Sequence, residues 1–359
     1  MKIAVIGTRG VPGMMGGIET HCEELYPRVA RRGHEIVIFR RKAYVHDGLT
    51  EYEGCRLVDI GTPRVSSLEV IVHSFKAVVA ARRMRADVVH IHAIGPALVA
   101  PLARLLGMKV VLTHHGSDYE RDKWKWYAKA VLKAGEWMGA KCANQLIVIS
   151  QGIKSFMEQR YGRRDCQLIY NGVPEPSFCD QPAYFAELGI ESGKYILGMS
   201  RLEEEKNLHH LIAACAQADM KGCRLVIAGD TYFETKYSRR LRELAGEHGV
   251  VMTGFVKGDK LHALLTHARC FVLPSSHEGL PIALLEAMSY GLPVIVSDIA
   301  ANVEMGLAAD SYFPLGDVQA LRRKIQDNIN KEVSHEQYDL TKYGWDRIAD
   351  QVSRVYQSL

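Results

Sequence analysis

Between His277 and Met288 the chain reads His-Glu-Gly-Leu-Pro-Ile-Ala-Leu-Leu-Glu-Ala-Met, which sets two carboxylates, Glu278 and Glu286, with seven residues between them. From Pro281 to Tyr290 the segment predicts a short helix that is apolar nearly all round, the pattern of a buried helix, and Glu286 is its single charge. A carboxylate in that setting is costly unless a protein cation or the hydroxyls of a ligand reach it. Just ahead of it, Gly279 permits close approach and Pro281 suits the first helical position. The N–H groups around Gly279, Leu280, Ile282 and Ala283 then offer a place for an anion. Hydroxyl acceptors beside an anion cradle suit a sugar nucleotide.

Three further segments carry groups of the same kind. Ser200-Arg201-Leu202-Glu203-Glu204-Glu205-Lys206-Asn207 follows a predicted strand, so Arg201 and Lys206 sit at its carboxyl end, the edge where open α/β sheets bind ligands. Two cations there suit a pyrophosphate, whose negative charge grows as a leaving group departs. The competing reading pairs them internally with Glu203, Glu204 or Glu205. Thr113-His114-His115-Gly116-Ser117-Asp118 leaves another strand end, where a histidine is well placed for a substrate hydroxyl. With His90 and His92 this makes four histidines, but carboxylates nearby are few and the spacing is irregular, so no metal centre is expected. The chain also has no Asp-x-Asp to hold magnesium against a diphosphate, which leaves that work to its own cations.

The third segment runs Gly7-Thr8-Arg9-Gly10-Val11-Pro12-Gly13-Met14-Met15-Gly16-Gly17-Ile18-Glu19, a glycine-rich loop opening a helix. Such a loop lets the backbone approach a phosphate at the positive end of the helix. Its glycines at 7, 10 and 13 depart from Gly-x-Gly-x-x-Gly, so a dinucleotide fingerprint is not expected. Pro27, inside the predicted helix, is expected to remove one backbone bond and kink it.

The elements that position these groups alternate short apolar runs with amphipathic stretches as far as about residue 330, the βαβ pattern of parallel sheets covered on both faces. Strands are expected near 2–7, 34–39, 56–60, 87–92, 109–113, 145–149 and 166–169, and again near 195–199, 224–228, 250–253, 270–273 and 293–296. Asn171-Gly172-Val173-Pro174-Glu175-Pro176 is rich in turn formers where the first series ends. The expected domains are therefore 1–172 and 173–340, both doubly wound α/β units. A separate last helix is expected in 341–359, where Trp345, Ile348, Val352, Val355 and Tyr356 recur at helical spacing.

A chain of 359 residues exceeds one usual core, and 47% apolar with 24% charged residues is the composition of a globular protein. No apolar run approaches a membrane span, and Met1–Gly7 is too short for a secretory signal, so a cytoplasmic location is expected. Eight scattered cysteines without metal spacing suggest reduced thiols. The net charge of +4 divides unevenly: residues 1–172 hold 26 Lys and Arg against 16 Asp and Glu, and residues 173–359 hold 19 against 25. Basic clusters at Arg28/Arg31/Arg32, Arg40/Arg41/Lys42, Arg82/Arg83/Arg85 and Lys123/Lys125/Lys129/Lys133 suit anionic lipid or a phosphate-bearing acceptor, against the plain reading of solvated helix faces. Trp124 and Trp126 interleave with the last of these, as side chains at a membrane interface do. Nucleic acid is not expected as a partner.

Taken together, Glu278 and Glu286 as a Glu-x7-Glu element, Arg201 with Lys206 in Ser-Arg-Leu-x-x-x-Lys-Asn, Gly16-Gly17, and His115-Gly116 resemble family 4 of the retaining glycosyltransferases, over nearly the whole chain. The opening Gly-Thr-Arg-Gly-Val-Pro with Gly-Gly-Ile-Glu-Thr is similar to a bacterial subgroup containing rhamnosyltransferases and other polysaccharide-assembly enzymes. The resemblance implies the GT-B fold, two Rossmann-like domains facing a cleft that closes over the donor, with the last helix crossing back onto the first. It implies that Arg201 and Lys206 neutralise the donor diphosphate, that Glu286 accepts from ribose hydroxyls, and that Glu278 contacts the transferred sugar. Backbone amides at Gly17 and around Gly279-Leu280 complete the phosphate cradle, with Gly16 beside them. His115 meets the donor sugar, and the base lies by Phe255 and Val256. No cofactor or metal is implied. The substrates are a nucleotide diphosphate sugar, with uridine preferred and dTDP-rhamnose open, and a glycan or lipid-linked acceptor. A sugar-nucleotide epimerase of similar fold, a non-catalytic nucleotide-sugar-binding module and, last, an NAD-dependent dehydrogenase are the alternatives.

Overall fold

A computed structural model describes residues 1–63, 66–121 and 124–359. Lys123 of the fourth basic cluster lies outside the described residues. Strands β1 (Lys2–Ile6), β2 (Glu35–Arg41), β3 (Glu51–Tyr52), β4 (Cys55–Ile60), β5 (Val88–His92), β6 (Lys109–His114), β7 (Gln145–Val148) and β8 (Gln167–Leu168) form one sheet in the order β3-β4-β2-β1-β5-β6-β7-β8. Strands β9 (Tyr195–Met199), β10 (Arg224–Ala228), β11 (Val251–Gly254), β12 (Cys270–Leu273), β13 (Val294–Ser297) and β14 (Tyr312–Phe313) form a second, ordered β11-β10-β9-β12-β13-β14. All pairings are parallel except β3 with β4, an antiparallel edge that the hydrophobic pattern did not reveal. Strands β3 and β14 have two residues each, too short for any periodicity to register.

The chain divides into two compact units, one of Met1–Gly172 with Lys342–Leu359 and the other of Val173–Thr341. In the first, Ile3–Ile6 of β1 and Val88–His92 of β5 are buried throughout because helices cover both faces, and β5 carries two histidines among its apolar residues. Ile3 and Val5 face a core shared with the helix Gly17–Arg31 and the last helix, Trp345–Gln357; Ala4 and Ile6 face the opposite core. The helix Gly17–Arg31 continues through Pro27. Trp345 lies flat over Gly172, where an added Cβ falls 2.4 Å from a ring carbon, and Arg32 bonds Asp350 at 2.6 Å and the Asp346 carbonyl at 2.9 Å. In the second unit, Ile196, Ile227, Cys270, Val272 and Ile295 from the sheet pack with helices Leu208–Ala216 and Val318–Asn330.

Two basic clusters are structural. Arg40 is fully buried, bonded to Asp59 at 2.7 Å and Asp47 at 2.9 Å, and Arg41 is buried near Glu69. Arg28 and Arg32 pair with Glu24, Asp346 and Asp350. Burial of these guanidinium groups required carboxylates distant in sequence, which local charge counting does not see. All eight cysteines are unpaired, and no helix among the described residues is long and apolar enough to cross a membrane.

Candidate functional site

In an open parallel sheet, ligands bind outside the carboxyl ends of the strands where the order reverses. In the second unit that point lies between β9 and β12. The first leads into Ser200-Arg201 and the second into Pro274–Glu278, so topology alone brings the two sequence motifs to one edge. A 3-10 turn at Glu204–Lys206 and the left-handed Asn207, with φ 49°, lead into the helix Leu208–Ala216. The two loops are stitched together: Ser276 N donates to Glu205 O at 2.9 Å and Asn207 Nδ2 to Pro274 O at 3.1 Å.

Lys206 Nζ donates to Glu278 Oε1 at 2.6 Å, with the two side chains 15% and 10% exposed. The internal partner of Lys206 is thus Glu278, seventy-two residues away, and not any of Glu203–Glu205. Arg201 does reach Glu203, at 3.5 Å, the outer limit of a hydrogen bond. The helix after Glu278 runs Ile282–Ser289 and is not buried all round. Ile282, Leu284, Leu285, Ala287 and Met288 face the core, while Ala283, Glu286 and Ser289 share one partly open edge. Three-residue spacing makes that stripe narrow, and the apolar Ala283 hid it from the hydropathy pattern. Glu286 is accordingly partly exposed rather than buried. At the N-terminus, the N–H groups of Gly279, Ile282 and Ala283 have no backbone acceptor among the described residues. Leu280 is buried. Phe255 and Val256 leave the end of β11, the former exposed, after Gly254 at φ 69°.

In the first unit the order reverses between β1 and β5, so Gly7, Ala93 and His115 all leave carboxyl ends at or beside that point. Gly7 is required: with φ 113°, a Cβ falls 2.2 Å from the His92 carbonyl oxygen. Gly16, at φ 139°, caps the helix that starts at Gly17, and its Cβ meets Glu19 Oε2 at 2.3 Å. Glu19 is buried and accepts from Arg9 N at 3.0 Å. Gly17 faces open space, with nothing within 4 Å of an added Cβ.

The histidines do not group as the sequence suggests. His114 turns away to Glu136, Nε2 to Oε1 2.9 Å, and Tyr161 also donates to that carboxylate. Burial pushes the Glu136 carboxyl up, but its bonds to His114, Tyr161 and Tyr119 outweigh this and hold it below the usual range. His115 instead joins His92, Nε2 to Nδ1 2.9 Å, and His21, whose ring centre lies 5.0 Å away. His21 was missed by the sequence reading. Its signal was the place four residues into the helix after Gly17, the face that turns back toward the sheet. Burial holds His21 down to about 4, against the opposing bond to Asn171, and His90 to about 3. Burial first, then neighbouring imidazoles, puts His92 and His115 well below the ordinary value. Burial thus favours the neutral form of each of these rings. Ligand atoms of His21, His92 and His115 lie within 4.8 Å of one another, so among the described residues these three could hold a metal ion.

Residues 15–175 match the family described as Glycosyltransferase Family 4, and residues 180–345 match Glycosyl transferases group 1. The chain belongs to glycosyltransferase family 4. As a glycosyltransferase of GT-B fold, it is 27% identical over 387 aligned positions to an uncharacterized glycosyltransferase of Methanocaldococcus jannaschii, covering 99% of this chain and 98% of that protein. It is 32% identical over 165 positions, 43% of this chain and 39% of the other, to WcaL of Escherichia coli K12, a glycosyltransferase named for colanic acid biosynthesis. Among solved structures it superposes on Anabaena HepE in complex with UDP and glucose with a TM-score of 0.80 at 19% identity, over 100% of both chains.

Proposed function

We propose that this glycosyltransferase moves a hexose-type sugar from a nucleotide diphosphate sugar to a hydroxyl of a glycan or lipid-linked acceptor in cell-surface polysaccharide assembly, with retention of configuration. UDP-sugar is the preferred donor and dTDP-rhamnose the second. The observation that carries the reading is the Lys206–Glu278 pair at the switch point of the second sheet, with Arg201 on the neighbouring strand end and open N–H groups at Gly279, Ile282 and Ala283. Arg201 and Lys206 meet the diphosphate and stabilise its growing charge without a metal. Glu278 both orients Lys206 and accepts from the sugar; Glu286, on the open helix edge, accepts from ribose; Phe255 and Val256 flank the base. In the first unit, the Gly16-Gly17 amides approach phosphate and His115 meets the sugar. HepE, solved with UDP and glucose, supports a UDP-linked donor, and WcaL supports a role in surface polysaccharide.

The test is thermal stability against a panel of nucleoside diphosphates and their sugars. A ligand at one hundred times its Kd adds about 2.7 kcal/mol to the native state. Stabilisation by UDP-sugars or dTDP-rhamnose, with acceptor-dependent release of nucleotide that EDTA leaves unchanged, is expected. Nucleotide release without acceptor identifies an epimerase instead, and absence of any nucleotide effect overturns the reading.

The acceptor is held at the cytoplasmic face of an anionic membrane. The helix Trp126–Cys142 supports this, since it exposes Trp126 (81%), Trp137 (53%) and Tyr127 (49%) on faces shared with Lys133 and Lys141. Replacing Trp126 and Trp137 by alanine is expected to abolish co-sedimentation with phosphatidylglycerol vesicles at unchanged thermal stability. Equal sedimentation of the variant rejects the membrane contact.

A further inference from the structure

Three histidines far apart in the sequence converge in the first unit, each from a different element. His21 stands four residues into the helix Gly17–Arg31, His92 ends β5, and His115 directly follows β6. A ligand nitrogen of each lies within 4.8 Å of those of the other two. His92 Nδ1 and His115 Nε2 are already 2.9 Å apart, and the His21 ring meets both edge to face, its centre 5.3 Å from His92 and 5.0 Å from His115.

The other nitrogen of two of these rings is engaged elsewhere. His21 Nδ1 lies 3.0 Å from Asn171 Oδ1, and an amide oxygen only accepts, so His21 carries its proton on Nδ1. His21 Nε2 is then a lone pair, buried and with no hydrogen-bond partner among the described residues. A buried polar atom left in that state points to a missing ligand. His92 Nε2 lies 2.5 Å from the Tyr26 hydroxyl, which can accept the ring proton while donating to His90 Nδ1 at 2.9 Å. Outer partners of this kind orient imidazoles around a metal and leave the inner nitrogens free to bind it.

Neither a carboxylate nor a thiolate joins the three among the described residues. Imidazoles alone suit zinc and its neighbours in the first transition row, whereas magnesium and calcium take oxygen ligands. Zinc–nitrogen bonds of about 2.0–2.1 Å in a tetrahedron set the nitrogens about 3.3 Å apart. The His92–His115 contact must therefore open by about 0.4 Å and the His21 nitrogen close on the pair, both by rotation of side chains.

We propose that His21, His92 and His115 form a three-histidine zinc site that ties the helix Gly17–Arg31 to the ends of β5 and β6, with the fourth position left to water. The site is separate from the diphosphate cations of the second unit. Its consequence is control: an ion that engages His115 withdraws it from the donor sugar. That consequence rests on the reading that His115 meets the sugar, and the site itself does not.

The test uses the full-length protein, freed of metal with EDTA, desalted and titrated with zinc chloride. One equivalent is expected to bind and, at one hundred times its Kd, to raise Tm by about 5–10 °C, while magnesium chloride has no effect. Cobalt chloride in place of zinc should give the visible bands of tetrahedral cobalt without the thiolate charge-transfer band that cysteine ligands produce. His21→Gln should abolish stoichiometric binding, and Asn171→Leu, which removes the outer partner of His21, should weaken zinc about 10–100-fold. Absence of stoichiometric zinc, a thiolate-type cobalt spectrum, or wild-type zinc affinity in folded His21→Gln overturns the site. Where His21→Gln does not fold, unchanged affinity in Asn171→Leu does so. Affinities for UDP-glucose and UDP, measured on zinc-loaded, desalted protein and on the metal-free form, test the control. Zinc should weaken UDP-glucose at least fivefold and leave UDP unchanged; stoichiometric zinc with equal UDP-glucose affinity overturns the control and keeps the site.

Discussion

Lys206→Ala separates a catalytic cation from a structural one. The ammonium and the Glu278 carboxylate are 2.6 Å apart with side chains 15% and 10% exposed, so the contact is a charge-assisted bond shielded from most solvent. Bonds of that type contribute about 1.5–3 kcal/mol, and the variant leaves Glu278 unpaired, so a loss of about 1–3 kcal/mol of stability is expected. For a unit of this size that is a fall in Tm of about 2–4 °C per kcal/mol. If Lys206 also meets the diphosphate as charge develops, turnover falls far more than folding does: removal of one preorganised donor costs about 10²–10³ in kcat, or ~2.7–4 kcal/mol. The assay is nucleoside diphosphate release at 25 °C, where the variant is fully folded, with Tm measured in parallel. Combining Lys206→Ala with Glu278→Gln removes the stranded charge and should restore most of the lost stability while activity stays absent. A Lys206→Ala enzyme that keeps a third of wild-type kcat, or a double variant that regains it, refutes a catalytic role.

Gly17→Ala should leave Tm unchanged or slightly raised, since nothing lies within 4 Å of the new Cβ, yet weaken donor binding measured by calorimetry; Gly16→Ala, at φ 139° and 2.3 Å from Glu19 Oε2, should lower Tm by disturbing the Arg9–Glu19 contact. Equal affinity in Gly17→Ala would falsify phosphate approach at that amide. Gly172→Ala sets a Cβ 2.4 Å from the buried Trp345 ring and should cost about 1–3 kcal/mol in urea unfolding, with a red-shifted tryptophan emission as the ring is pushed out; an unshifted spectrum and midpoint contradict the packing. Acid should destabilise the protein earlier than its carboxylates require. The unfolded chain takes up protons at histidine near 6.5, whereas His21 resists until about 4 and His90 until about 3, so their stabilising effect is complete above 6.5 and declines as pH falls toward 4. His21 alone accounts for roughly 3 kcal/mol over that interval, and a flat unfolding midpoint between pH 7 and 4.5 argues against buried neutral rings.

The parallel strands were legible because doubly covered sheets write themselves as continuous apolar runs, and β1, β5, β9 and β12 each fall within a segment read from the sequence. The places of Arg201 and His115 just past strand ends were legible for the same reason, since β9 ends two residues before the first and β6 immediately before the second. Pairing was not legible. Lys206 stood beside three glutamates in sequence and bonds a fourth across the switch point, because the nearest carboxylate in space is set by strand order. Arg40 looked like part of a basic patch and is the most deeply buried cation of the first unit, held by Asp47 and Asp59 from a loop and the adjacent strand. His114 and His115, adjacent in sequence, alternate across the pleat and serve different networks.

The last helix shows why the first unit needs a segment from the far end of the chain. Residues 1–172 close their sheet without it, but the face of β1 and β5 beside the helix Gly17–Arg31 is then open over Ile3, Val5 and Val88. Trp345, Ile348, Val352 and Tyr356 fill that face, and Arg32 fixes the register through Asp346 and Asp350. Tyr356 is the one member of this face that ends in a hydroxyl, and it places that hydroxyl on His90. An apolar residue there would bury the face equally well and remove the buried hydroxyl contact to His90 Nδ1. The helix therefore supplies two things that burial alone does not combine: the apolar area that completes a core, and a hydroxyl that meets a buried imidazole.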